Sequence, residues 1–77
     1  MLEPLASVLR AERLKAGVLQ ADIASRSGAS RPSVTKFETR RVIPEIGLDR
    51  LVDAYAEECG TTWLELWELA LAEARSV

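Results

Sequence analysis

Residues 20–38, QADIASRSGASRPSVTKFE, read as two short helices meeting at a tight turn. The first, from Gln20 to Ser27, is stopped by Gly28, whose lack of a Cβ allows the positive φ that such a turn needs. Ser30 then offers a hydroxyl to cap a second segment that carries Val34 and Phe37 on its inner side. Pro32 falls in the first turn of that segment, where a missing N–H does no harm. Three positions set the crossing sterically: Ala24 is small enough for close approach, Gly28 makes the corner, and Val34 plugs the angle between the helices. The exposed positions of the second helix are then Arg31, Ser33, Thr35 and Lys36.

Outward from this pair the chain stays helical. Upstream, Pro4 suits the first turn of a helix in which Leu5, Val8 and Leu9 recur at helical spacing until Gly17, giving a first helix over about 4–15. Downstream, a loop is expected from Thr39 to Glu45, after which Leu48, Leu51, Val52 and Tyr55 follow the i, i+3, i+4, i+7 rule up to Gly60. Thr62 with Glu65 three residues on reads as a capping box that opens a last helix over about 62–74. No stretch alternates with period two for long enough to compete. The expected fold is all-α, one five-helix bundle over 1–77.

Composition removes most alternatives. With one cysteine, Cys59, and no histidine, the chain cannot assemble a disulfide, a Cys/His metal cluster or a histidine-based triad of its own. No enzyme constellation, cofactor or metal is expected, and Cys59 reads as a small buried or half-buried residue in a reducing cytosol, the alternative being a reactive thiol. No apolar run approaches the ~20 residues that span a bilayer, and the expected protein is soluble and cytoplasmic. The net charge of −2 conceals a division. Residues 1–41 hold eight Lys and Arg against four Asp and Glu, a balance of +4, whereas residues 42–77 hold two against eight, a balance of −6. Screening confines such potentials to roughly 8–10 Å, so a basic half can bind phosphate while an acidic half faces away. The same charges could instead be solvated helix faces.

The spacing Ala24-x3-Gly28-x5-Val34, Leu9-Arg10-x2-Arg13, Gly17-Val18-x-Gln20-x2-Ile23-Ala24, Gly28-Ala29-Ser30 and Val34-x2-Phe37-Glu38 resembles the Xre/Cro family of phage and bacterial repressors. Pro44, the Leu48–Tyr55 stripe and Trp63-Leu64 fit as well, so the likeness extends from Leu9 to Leu66. It implies a lambda-repressor-like bundle whose second and third helices form a helix-turn-helix. Arg13 and Glu38 would then form a partly buried ion pair, the alternative being two independent surface charges. Gln20, at the start of helix 2, would clamp a DNA phosphate; otherwise it is an exposed glutamine on a good helix position. Arg31, Ser33 and Lys36 would lie nearest the bases, with Ser30, Thr35, Arg40 and Arg41 nearer the backbone. Two departures stand out. Leu19 replaces the usual polar cap of helix 2, and Pro32 occupies a position where the family often reads a base.

The resemblance also bears on the last helix, apolar on more than one face. It implies that Trp63 fills the core, leaving Trp67, Leu71 and Ala74 as a stripe that either joins two subunits or belongs to the intramolecular core. The expected function is a sequence-specific regulator binding a double-stranded DNA operator as a homodimer. A protein-interaction module, gripping a basic partner through the acidic, apolar C-terminal helix, is the competing reading.

Overall fold

The computed structural model describes residues 2–76; Met1 and Val77, the ends of the expected 1–77 domain, lie outside the described residues. Five helices follow one another: α1 Leu2–Ala16, α2 Gln20–Ser27, α3 Arg31–Arg40, α4 Leu48–Cys59 and α5 Trp63–Arg75. Among the described residues there is no strand, and no helix is long and apolar enough to cross a membrane.

Each helix buries one stripe and stops for a local reason. In α1, Leu5, Ala6, Val8, Leu9 and Arg13 turn inward. The helix ends where Gly17 takes φ 71° and Val18 N donates to Arg13 O across 3.0 Å, a closure that satisfies carbonyls the last turn leaves bare. Gly28, at φ 85°, makes the α2–α3 corner; an added Cβ would meet nothing within 4 Å there, so the backbone angle and not crowding calls for glycine.

Helix α3 runs further than its sequence suggests. The loop expected from Thr39 is helical through Arg40, and Arg41 closes it in the left-handed region at φ 59°. Val42 N reaches back to Lys36 O at 3.4 Å, so an arginine does what glycine does at the end of α1. Without a glycine at that end, the sequence carries no stop signal. Thr39 Oγ1 donates to Thr35 O at 2.8 Å, spending its polar group inside the helix instead of breaking it.

The core lies where α4 meets the other helices. Tyr55, Phe37, Leu9, Ile23, Leu51, Leu66, Val34 and Val52 are its largest enclosed side chains, and the Phe37 and Tyr55 rings sit 6.4 Å apart at a tilt of 51°. Arg26 of α2 pairs with Glu57 and Glu58 on α4, an exposed clasp of small energetic weight.

Helix α5 corrects the expectation for Trp63. Its buried residues are Leu66 and Ala70, while Trp63 and Trp67 remain 38% and 39% exposed. Both indoles lie on one flank of the Leu66–Ala70 face and line a narrow cleft with Leu5, Leu48 and Val52. The Trp63 indole N–H donates to Asp53 on α4, and that polar need holds the ring at the water-facing edge. Thr62 caps the helix by accepting from Glu65 N at 3.2 Å, but the Glu65 carboxylate accepts from Thr61 Oγ1 at 2.6 Å.

Candidate nucleic-acid interface

The outer face of α3 is a shallow hollow formed by Arg31, Pro32, Thr35, Lys36, Thr39 and Arg40. Three of these are cations and none is an acid. The residues at i and i+4 share a helix face, so Arg31, Thr35 and Thr39 stand in one row with Lys36 and Arg40 beside it. The helix starts from Ser30, whose Oγ accepts from Ser33 N at 3.2 Å and donates to Ser33 Oγ at 2.9 Å.

The hydroxyl pair of Ser30 and Ser33 faces a different hollow, shared with Gly28, Ala29, Pro44, Glu45 and Ile46. Arg41 is also set apart. Its guanidinium donates to Glu38 O at 2.7 Å and lies with Glu3, Pro4, Ser7, Glu73 and Ala74, against α1 and α5. The structure therefore gathers Arg31, Thr35, Lys36 and Arg40 on one surface and leaves Ser30, Ser33 and Arg41 off it.

Beneath that surface Arg13 and Glu38 meet as a two-pronged pair, Nε to Oε2 at 2.8 Å and Nη2 to Oε1 at 2.9 Å. Both residues are buried. Arg13 Nη1 also donates to Val18 O at 2.9 Å, the Tyr55 hydroxyl donates to Glu38 Oε2, and Gln20 Nε2 donates to Glu38 Oε1 at 3.0 Å. The other end of Gln20 reaches the outer face of α3: its Oε1 accepts from Thr35 Oγ1 at 2.6 Å. At the start of α2, Leu19 offers no side-chain cap, and the Asp22 carboxylate accepts from Leu19 N at 3.0 Å in its place.

Three partners of this network escaped the sequence reading. Arg10, with a half-exposed side chain, brings Nε to 3.9 Å from Glu38 Oε1, on the same side as Gln20. Arg13 already matches the Glu38 charge, so Arg10 is a second cation beside one carboxylate. Tyr55 was visible only as one member of an apolar stripe, although a buried phenol must find an acceptor. Gln20 carried the signal of a phosphate contact but none of a tie to Glu38.

The electrostatics follow from the geometry. Burial, the strongest single influence on Glu38, pushes its pKa up, but hydrogen bonds from Arg13, Tyr55 and Gln20 together hold it below the ordinary 4.5. Glu38 in turn raises the pKa of Arg13, and burial with the nearby carboxylate raises that of Tyr55. A carboxyl whose folded pKa is depressed stabilises the fold above its unfolded value and loses that contribution as pH falls through the folded one. The melting temperature should therefore hold steady down to about pH 5 and fall below about pH 4.5. Melts between pH 7 and 3 on the natural chain and on Glu38→Gln check this, because the variant should lose much of the acid slope.

A family model described as a helix-turn-helix domain matches residues 4–65. No protein of curated function matches the chain in sequence. Among solved structures, the restriction-modification controller protein C.Esp1396I is similar at a TM-score of 0.75 and 19% identity, covering 95% of this chain and 92% of its own. The clp gene regulator ClgR from C. glutamicum is similar at a TM-score of 0.72 and 22% identity, over 94% of this chain and 91% of its own. At these identities the likeness shows the fold alone.

Proposed function

The chain belongs to the helix-turn-helix domain family, and from that premise we propose that it is a sequence-specific transcriptional regulator of the phage repressor or Cro type. It binds a two-fold double-stranded DNA operator as a homodimer, with α3 in the major groove. The observation that carries this reading is the hollow lined by Arg31, Lys36 and Arg40 and by no acid, in a protein of net charge −2. The acids concentrate on α4 and α5, so the surface facing phosphate can be locally positive while the whole chain is acidic.

Arg31, at the first position of α3, is suited to a two-pronged contact with guanine, and Lys36 follows five residues on, beside the Arg31–Thr35 row. Ser33 stands near the entering end of the helix. Gln20 and Arg40, with Arg10, lie toward the phosphates. Arg41 must leave Glu38 O to join them, which favours Arg40 as the backbone contact on this side. On α5, Trp67, Leu71 and Ala74 continue as one exposed stripe and form the subunit contact, near the two-fold axis.

In-vitro selection from random duplexes should recover two half-sites whose centres lie about 34 Å apart, one turn of DNA. Affinity for that operator should fall steeply with salt, each neutralised phosphate adding about −0.9 to the slope of log K against log salt. Arg40→Ala should weaken all sequences alike and flatten the slope by about 1, whereas Arg31→Ala should relax discrimination at one base pair by roughly 1–3 kcal/mol. A slope near zero on the selected site contradicts DNA binding. Identical profiles for the two variants across a panel of sites contradict the division of roles.

A further inference from the structure

We propose that Thr35 is a specificity-determining residue that reads an amino group in the major groove, adenine N6 or cytosine N4, because its hydroxyl can only accept. This rests on the DNA-reading assignment of α3 above. The sense of each hydrogen bond is forced, starting from the core. Glu38 is an ionised carboxylate paired with Arg13, and a carboxylate only accepts. The end of Gln20 that lies 3.0 Å from Glu38 Oε1 must be its amide nitrogen. Its carbonyl oxygen is then the atom 2.6 Å from Thr35 Oγ1, and an amide oxygen also only accepts. Thr35 must donate.

Among the described residues the one other partner of that hydroxyl is Arg31 O at 3.2 Å, again an acceptor. Whichever of the two takes the hydrogen, it is spent inside the protein. What Thr35 presents outward, from an exposed position in the Arg31–Arg40 hollow, is a pair of lone pairs. Lone pairs cannot bond phosphate oxygens, guanine O6 or N7, or thymine O4. They can accept from adenine N6–H or cytosine N4–H. Thr35 thereby moves from the backbone-contacting group, where its sequence placed it, to the base-reading group. The second hydrogen of the Gln20 amide is not used in the network, so the same side chain remains able to donate to a phosphate. The depressed pKa of Glu38 keeps this directional chain intact at neutral pH.

Selection from random duplexes with the natural chain, Thr35→Ser and Thr35→Val tests the assignment. The natural chain and Thr35→Ser should prefer A or C at one position of the half-site by about tenfold, the worth of one hydrogen bond in discrimination. Thr35→Val should flatten that position alone while keeping helical content and melting temperature. Replacing the selected adenine by a purine without its 6-amino group, or the cytosine by its analogue without the 4-amino group, should cost the natural chain the same tenfold. That second measurement does not depend on how any variant folds. The assignment is overturned if Thr35→Val alters no position, if the altered position prefers G or T, or if the base lacking the amino group binds equally well. Failure of the natural chain to select any site overturns the DNA-reading function and this inference together, whereas the three preceding outcomes leave that function standing.

Discussion

Glu38→Ala should lower the unfolding free energy by about 3–5 kcal/mol, the range for breaking a buried ion pair by removing one partner. Glu38 is 2% exposed and accepts from Arg13 twice, from Tyr55 and from Gln20, so its loss leaves a buried guanidinium without its counter-charge, held only by Val18 O, and a phenol without an acceptor. A domain of 77 residues has a total stability of roughly 4–12 kcal/mol, so this one truncation removes a large part of it. The melting temperature should drop by more than about 10 °C. Compensation by apolar replacement is instructive here. Arg13→Met with Glu38→Leu removes both charges but strands the Tyr55 hydroxyl and frees Gln20, so recovery should be incomplete. Adding Tyr55→Phe should bring the melt closer to that of the natural chain, since the buried hydroxyl that the pair of substitutions strands is then removed as well. An unchanged melt for Glu38→Ala would mean that the pair contributes nothing to stability.

How far the sequence carries the fold can be followed residue by residue. Gly28, Ala24 and Val34 were legible because sterics allow few solutions at a tight corner, and Gly17 and Gly60 marked helix ends for the same reason. The end of α3 was not legible. Arg41 takes a left-handed conformation that an arginine adopts at a cost of roughly 1–2 kcal/mol, and no local rule announces it. The placing of Trp63 in the core failed for another reason, whereas Trp67 lies exposed as its stripe implied. Trp63-Leu64-Glu65-Leu66-Trp67-Glu68-Leu69-Ala70-Leu71 is apolar on several faces, so periodicity alone does not choose which stripe turns inward. The structure chooses Leu66 and Ala70, the smaller side chains.

The outer surface of α3 divides in the same way. Exposure of Arg31, Thr35 and Lys36 follows from the inward turn of Val34 and Phe37, which helical period alone provides. The separation of Ser30, Ser33 and Arg41 from that face depends on where the 41–47 segment and α5 lie, which no local pattern encodes. The donor and acceptor sense of Thr35 is more remote still. It is set by Glu38 through Gln20, 15 residues away from Thr35 in sequence, and emerges only when the three helices are packed.

Leu71→Asp should leave the domain folded and abolish cooperative operator binding. Leu71 is 42% exposed and lies outside the cleft that holds Trp67 against Leu5, Val52 and Leu66. Replacing Trp67 would therefore mix loss of packing with loss of assembly, and Leu71 is the cleaner probe of the proposed subunit contact. In a two-fold dimer the same patch meets itself, so one substitution removes a leucine from each side and sets two carboxylates near the axis. Burying a leucine is worth about 1.5–3 kcal/mol, and two of them correspond to roughly a 10²–10⁴-fold change in dimer affinity before charge repulsion is added. The variant should keep its helical content and bind a single half-site as the natural chain does. On the two-half-site operator it should need at least about 100-fold more protein for half-occupancy, with no cooperativity. Leu69→Asp supplies the control, because Leu69 is 43% exposed on the opposite flank of α5 and the same loss of apolar surface there should leave assembly unchanged. Equal cooperativity in Leu71→Asp and the natural chain would move the subunit contact off this stripe, and loss in both variants would point to a general weakening of α5.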